Sequence, residues 1–242
     1  MDLRLAGARC LVTGGSGLVG GAVAASLVRE GARVVLLGRT PGRLEHVAAT
    51  IGAAGTVVAD TTDDVAVRTA VDQVVQQLGG LDVLVNCAAT PASSTPARRI
   101  DDVDAGALLV NVDTKVVGYL RVARAAAPFL ARGGGALVNV SGTNARRTGD
   151  VVGSIRNSAV VALSKNLADE LGPSGVAVTC VHPGPITTAA AVERAAPAGS
   201  LHPQVALQDV ADLVVFLCSP RGRATNGSVV AADGGQPGVI WA

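Results

Sequence analysis

Apolar positions along this chain follow two alternating rhythms. Residues 9–12, 33–37, 56–59, 82–85, 136–140, 176–181 and 229–231 form short runs that are apolar at nearly every position and rich in Val and Leu. Runs of that length and composition predict strands buried on both faces. Between them lie longer Ala-rich or amphipathic runs at 18–30, 41–51, 63–78, 104–130, 154–171 and 207–219, which predict helices. Gly, Pro or Asp marks the joints. Buried strands separated by helices imply a parallel sheet covered on both sides, and right-handed crossovers wind it in both directions. The expected fold is α/β, a doubly wound Rossmann-type parallel sheet of about seven strands with helices on both faces. Thr62, ahead of Asp63 and Asp64, is the expected N-cap of the third helix. No repeat or second domain interrupts the pattern, so residues 1–242 read as one domain. The longest irregular stretch, 187–206, contains Pro197, Gly199 and Pro203 and reads as a lid.

Composition narrows the function classes. Aromatic residues are 2% of the chain against 49% apolar, so the core must be built from Ala, Val and Leu. A formal net charge of +1 with no basic block argues against nucleic acid. No apolar run reaches membrane-spanning length, and residues 1–4 show no signal-peptide core, so a cytoplasmic protein is expected. Cys10, Cys87, Cys180 and Cys218 are dispersed in apolar segments, which suits buried thiols rather than disulfides or a metal site.

The strongest motif is the turn at residues 13–20, Thr-Gly-Gly-Ser-Gly-Leu-Val-Gly, between the first strand and the first helix. Gly14 can take the positive φ of a tight turn, Gly17 lets a phosphate approach the backbone, and Gly20 lets the helix lie against its strand. The helix start, with Ser16 and Leu18, then directs free N–H groups at a pyrophosphate. In such sheets ligands sit beyond the carboxyl ends of the strands. There Arg39 is placed to hold a ribose 2′-phosphate or to be a solvated loop residue, and Asp60 to meet an adenine amino group. Asn86 and Ala88 follow the fourth strand, and Pro183, Gly184 and Thr188 follow the sixth.

Taken in order, these landmarks, with Asn111, residues 138–141 and Asp233-Gly234-Gly235, resemble the short-chain dehydrogenase/reductase family over about residues 5 to 235. The resemblance implies a single Rossmann-type domain and hydride transfer between NAD or NADP and a carbonyl or alcohol. It also implies a small-molecule substrate, and a homodimer or homotetramer formed through the helical regions 104–130 and 154–171. The spacing of Gly14, Gly17 and Gly20 is similar to the family's extended branch, whereas the chain has the shorter branch's length.

The family carries Tyr-x-x-x-Lys on the helix after the fifth strand. Counting back from residues 158–163 puts Gly153 at the Tyr position and Asn157 at the Lys position. The chain's one tyrosine, Tyr119, lies on an earlier helix, and neither lysine is expected to fill the gap. Lys165 lies eight residues past Asn157, about 80° round the helix and roughly 12 Å along it. Asn111, which in the family supports a water chain to that Lys, is expected to close backbone bonds instead. The groups left to act are Ser141 or Asn144 as donors, Asp150 as base or helix cap, Arg156 as an anion clamp or solvated residue, and Asn157. His182 is expected to be a turn residue bonded to backbone. No metal-ligand cluster or Ser/His/Asp spacing stands out. The sequence reading is therefore an NAD(P)-site protein turned to non-redox chemistry such as dehydration, cyclisation or isomerisation. The alternatives are an NADP-dependent ketoreductase with substitute groups, and a non-catalytic partner or NADP sensor.

Overall fold

The computed structural model describes residues 1–90, 99–187 and 204–235. Thr188 and most of the expected lid lie outside them. Seven parallel strands form one sheet. They are β1 (Arg9–Thr13), β2 (Arg33–Gly38), β3 (Gly55–Val58), β4 (Val83–Asn86), β5 (Ala136–Val140), β6 (Ala177–Pro183) and β9 (Val229–Ala232). The two-residue strands β7 (Ile186–Thr187) and β8 (Val205–Ala206) pair separately. The order across the main sheet is β3-β2-β1-β4-β5-β6-β9. It reverses between β1 and β4, which is the doubly wound topology expected.

Strand periodicity divides the core in two. Leu11, Val35, Leu37, Leu84 and Leu137 point to one face, where α3 (Asp64–Leu78), α5 (Gly118–Leu130) and the C-terminal part of α6 (Val151–Leu171) cover them. Cys10, Val12, Val34, Leu36, Val83 and Val85 point to the other, under α1 (Leu18–Arg29), α2 (Pro41–Ile51) and α7 (Leu207–Cys218). Both faces of each central strand are sealed, and polar residues such as Thr13, Asn86 and Asn139 stand at or near the strands' carboxyl ends.

One helix cap and one helix interior differ from the sequence reading. Asp63, not Thr62, caps α3: its Oδ1 accepts from the N–H groups of Val65 and Ala66 at 2.9 and 3.0 Å. Thr62 is held back because its hydroxyl donates to Asp60 Oδ1 at 2.8 Å. The segment 104–130 is not one helix. A π-helical turn, Asp113–Val117, separates α4 (Ala105–Val112) from α5. Such a turn carries an additional residue and rotates the facing of the helix beyond it, often at functional sites.

Candidate functional site

The glycine turn stands at the point of strand reversal. Gly14 has φ +65°, and a Cβ there would sit 2.8 Å from the Ala88 nitrogen. A Cβ on Gly20 would come within 2.3 Å of the Gly14 carbonyl oxygen. The turn is therefore closed to any side chain at both ends. Gly17 is the N-cap of α1 and supplies no side-chain cap, so the first-turn amides at Leu18 and beyond are left for a ligand. Leu18 is exposed, and the Ser16 carbonyl accepts from Arg43 at 3.5 Å. Arg39 stands beyond β2 with its guanidinium 3.9 Å from Asp60 Oδ2 and 64% of its side chain exposed. Burial opposes ionisation of Asp60, but the Thr62 N–H and hydroxyl and the charges of Arg39 and Arg121 outweigh it and hold the carboxyl below its usual range.

The side chain of Asn86 is engaged within the sheet. The register sets Thr13 beside Asn86 and Asn86 beside Asn139. Thr13 Oγ1 donates to Asn86 Oδ1 at 3.3 Å, Asn86 Nδ2 to Asn139 Oδ1 at 3.0 Å, and Asn139 Nδ2 to Ser164 Oγ at 2.9 Å. This polar row is fully buried. It satisfies its own members and ties α6 to three strands. The same Thr13 hydroxyl accepts from the N–H groups of Cys87 and Ala88, which fixes the backbone against the glycine turn.

Beyond β5 the chain makes a short 3₁₀ turn, Thr143–Arg146, and enters α6. Asp150 caps that helix, accepting from Gly153 N–H through Oδ1 at 2.9 Å and from Asn144 Nδ2 through Oδ2 at 2.9 Å. A Cβ on Gly153 would lie 2.2 Å from Asp150 Oδ2 and 2.8 Å from Asn144 Nδ2. The capping pair thus fills the space that a side chain at 153 would need. Ser141 is buried and its hydroxyl donates to the Asn157 carbonyl at 2.9 Å. His182 lies in strand β6 rather than in a turn, fully buried, and its Nδ1 accepts from the Gly142 N–H at 3.4 Å, the backbone contact expected of it. Pro183 ends β6, and Gly184 N–H donates to the Ala232 carbonyl at 2.8 Å. A Cβ on Gly184 would meet Asp233 Cα at 2.8 Å.

Lys115 and Arg156 correct the sequence reading, whereas Lys165 and Tyr119 stand where it expected them. Lys115, in the π turn, is buried and its Nζ donates to Asn157 Oδ1 and to the Ser141 carbonyl, both at 2.9 Å. An ammonium does therefore reach the α6 site, from a helix the motif count did not consider. Burial foremost, and the Arg156 charge next, push Lys115 down to about 7, against weaker pulls from Cys180 and Cys87. Arg156 is not a solvated helix residue. It is 9% exposed, and its guanidinium donates to the Thr90 carbonyl at 3.1 Å and to Asn111 Oδ1. Its buried Nε has no hydrogen-bond partner among the described residues. Asn111 donates to the Ala107 carbonyl at 2.8 Å, the backbone role expected of it. Lys165 is exposed and pairs with Asp169. Tyr119 is buried and donates to the Val140 carbonyl at 3.0 Å, a bond internal to the α5–β5 packing.

Among the described residues no cluster of His, Cys, Asp or Glu fits a metal ion, and no helix is long and apolar enough to cross a membrane. The class defined by this topology and turn is the Rossmann-type α/β domain. Residues 16–236 match the family model described as enoyl-(acyl carrier protein) reductase. L-xylulose reductase of Bos taurus is 33% identical, over 97% of this chain and 98% of that protein. A short chain dehydrogenase of Burkholderia cenocepacia J2315, solved in complex with NADP, is 33% identical with a TM-score of 0.83, covering 96% of this chain and 98% of that one. L-sorbose reductase of Gluconobacter frateurii, solved with NADPH and L-sorbose, is 25% identical with a TM-score of 0.88, covering 99% and 100%. The chain belongs to the short-chain dehydrogenase/reductase family.

Proposed function

We propose that this protein is an NADP-dependent oxidoreductase that interconverts a carbonyl and an alcohol on a small molecule. The observation that carries the reading is the uncapped start of α1 behind a turn in which neither Gly14 nor Gly20 has room for a Cβ. A dinucleotide fits that frame. Gly14, Ser16, Gly17, Leu18 and Gly20 would hold its pyrophosphate, Arg39 its 2′-phosphate, and Asp60 its adenine. Ala88, Pro183 and Gly184 would line the nicotinamide end. When bound, the nicotinamide supplies or removes hydride. The chain's own residues exclude water, orient the substrate and move the proton.

This reading reverses the order given by the sequence. The non-redox reading rested on a missing phenol and a missing cation at α6; Lys115 brings a cation to Asn157, while Gly153 still holds the phenol's position. The relatives above are named as reductases or a dehydrogenase, and the two solved ones hold NADP or NADPH. The finer reading is that this member works without a phenol–lysine pair on α6. It is supported by Gly153 and Asn157 at those helix positions, and by the Asp150–Asn144 pair packed over Gly153. A homo-oligomer is supported by Leu109 and Val110 on α4, Leu120 on α5 and Ile155 on α6, all exposed apolar residues. Absorbance at 340 nm with NADPH and a carbonyl panel that includes L-xylulose and L-sorbose tests the function. Consumption of NADPH with one of them is expected. No change across carbonyls and alcohols, with turnover of any substrate in the absence of nicotinamide, would return the non-redox reading.

A further inference from the structure

We propose that Lys115 is the proton-supplying residue of the site, reaching in from the π turn between α4 and α5 with Asn157 as its fixed acceptor. The inference rests on the oxidoreductase reading.

Lys115 is a costly residue to bury. Its amine loses its hydration and gains no carboxylate, because no ion pair among the described residues includes it. Its acceptors are two neutral oxygens, the Ser141 carbonyl and the Asn157 carboxamide. A pair built for stability would be better served by an apolar side chain of the same length. The residue stands instead in the one stretch where the helix leaves α geometry, Asp113–Val117, and that change of facing brings it inward.

The geometry fixes its direction. An ammonium has three hydrogens. Two are committed to atoms of the β5–α6 edge, which leaves one without a partner among the described residues. Both commitments reach the machinery that a cation on α6 would have served: Asn157 is on that helix, and Ser141 also holds the Asn157 carbonyl. The groups facing Lys115 come from every element around it. Arg156 on α6 lowers its proton affinity, while Cys180 on β6 and Cys87 after β4 raise it. His182 on β6 feels the Lys115 charge in turn. Tyr119 on α5 packs with Cys180, its hydroxyl committed to Val140. At neutral pH the amine is divided between its two forms, so it can both give and take a proton.

The step balances. A carbonyl carbon accepts a hydride from the reduced dinucleotide proposed above, and its oxygen takes one proton from Lys115 Nζ. The product is the alcohol and a neutral amine, which regains its proton from water.

The chain has two lysines, Lys115 and Lys165, so the K165R protein labelled with ¹³C,¹⁵N-lysine gives one side-chain amine signal to follow by NMR. The expected midpoint lies within one unit of 7 and moves by half a unit or more when NADP⁺ saturates the protein. Turnover of a panel carbonyl is expected to fall at least 100-fold in K115M and to lose its pH step near 7. The exchanged variant K115N/N157K, which returns the cation to α6, is expected to recover a pH step. A Lys115 midpoint above 9, a midpoint indifferent to NADP⁺, or a K115M protein that keeps the wild-type pH profile would overturn the proposal. If wild type binds no NADPH by calorimetry, the oxidoreductase reading itself fails, and the proposal falls with it. K115R separates charge from titration: a fold kept by Arg but a pH step abolished supports the proton role, and an unchanged step refutes it.

Discussion

Lys115 Nζ lies 2.9 Å from Asn157 Oδ1, joining two residues 42 positions apart in the chain. One stands in a π turn between α4 and α5, the other two turns into α6. Their contact closes the gap between the helices that flank the end of β5. It does so with a second cation nearby, since Arg156, next to Asn157 on α6, lowers the proton affinity of Lys115. Neither cation has a carboxylate within ion-pair distance among the described residues.

That arrangement has a cost in stability with a definite sign. The unfolded Lys holds its proton up to about 10.5, the folded one only to about 7. Between those values the unfolded chain binds more protons, so stability rises with pH across that window. Below it the fold carries the full penalty of a buried ammonium, of order a few kcal/mol. The variant K115M is expected to melt higher than wild type at pH 6, with the gain shrinking at pH 9. Thermal unfolding at both pH values checks this. A lower melting temperature at pH 6 would mean that the two hydrogen bonds outweigh the desolvation.

Burial does most to lower where Lys115 titrates, and the Arg156 charge adds to it. Removing its charge in R156M lets Lys115 keep its proton to higher pH, because the burial of the amine is unchanged but the neighbouring repulsion is gone. The pH at which reduction falls off is expected to move upward by up to about one unit, at roughly 1.4 kcal/mol per unit. Burial holds His182 down at about 4, with the charges of Arg146 and Lys115 adding to it, so its titration does not fall in the range assayed. A pH profile of turnover from 5.5 to 9.5 checks the shift.

The glycine turn separates folding from binding. A Cβ at Gly20 would meet a backbone oxygen at 2.3 Å, which no side-chain motion relieves. G20A is expected to lose at least about 1–3 kcal/mol or to fail to fold. At Gly17 the one atom near a new Cβ is the same Gly14 oxygen, 3.1 Å away, a tight approach that a small shift relieves. G17A is expected to melt within a few degrees of wild type and to bind NADPH at least tenfold more weakly. Melting curves and calorimetry on the two variants distinguish the roles.

Arg39 is placed for a phosphate rather than for the fold. Its 3.9 Å approach to Asp60, with most of the side chain in water, contributes little to stability. R39A is expected to leave the melting temperature unchanged, to weaken NADPH about tenfold or more, and to leave NADH within about threefold. Equal losses for the two dinucleotides would remove Arg39 from the 2′-phosphate role.

The sheet was legible because its strands are buried on both faces and so read as unbroken apolar runs. The glycine turn was legible because its constraint is local. Asp150 was readable as a cap for the same reason. The bonding of the Asn86 side chain was not legible, because a polar residue at a strand end suits a ligand and a cross-strand row equally, and only the register with Thr13 and Asn139 decides. Lys115 was missed because hydrophobic periodicity predicts an even helix through 104–130 and has no signature for an extra residue in one turn. A signal was present: with 20 basic residues in the chain and only two of them lysine, a Lys inside a run of Val, Thr and Leu asks for a reason that Arg would not meet.

Titration calorimetry of the full chain with NADPH tests the central claim most directly. The account predicts saturable binding with a Kd of about 1–100 μM, weakened by G17A and R39A, with NADH binding less tightly. No heat of binding up to millimolar NADPH, from protein whose melting curve shows it folded, would contradict it.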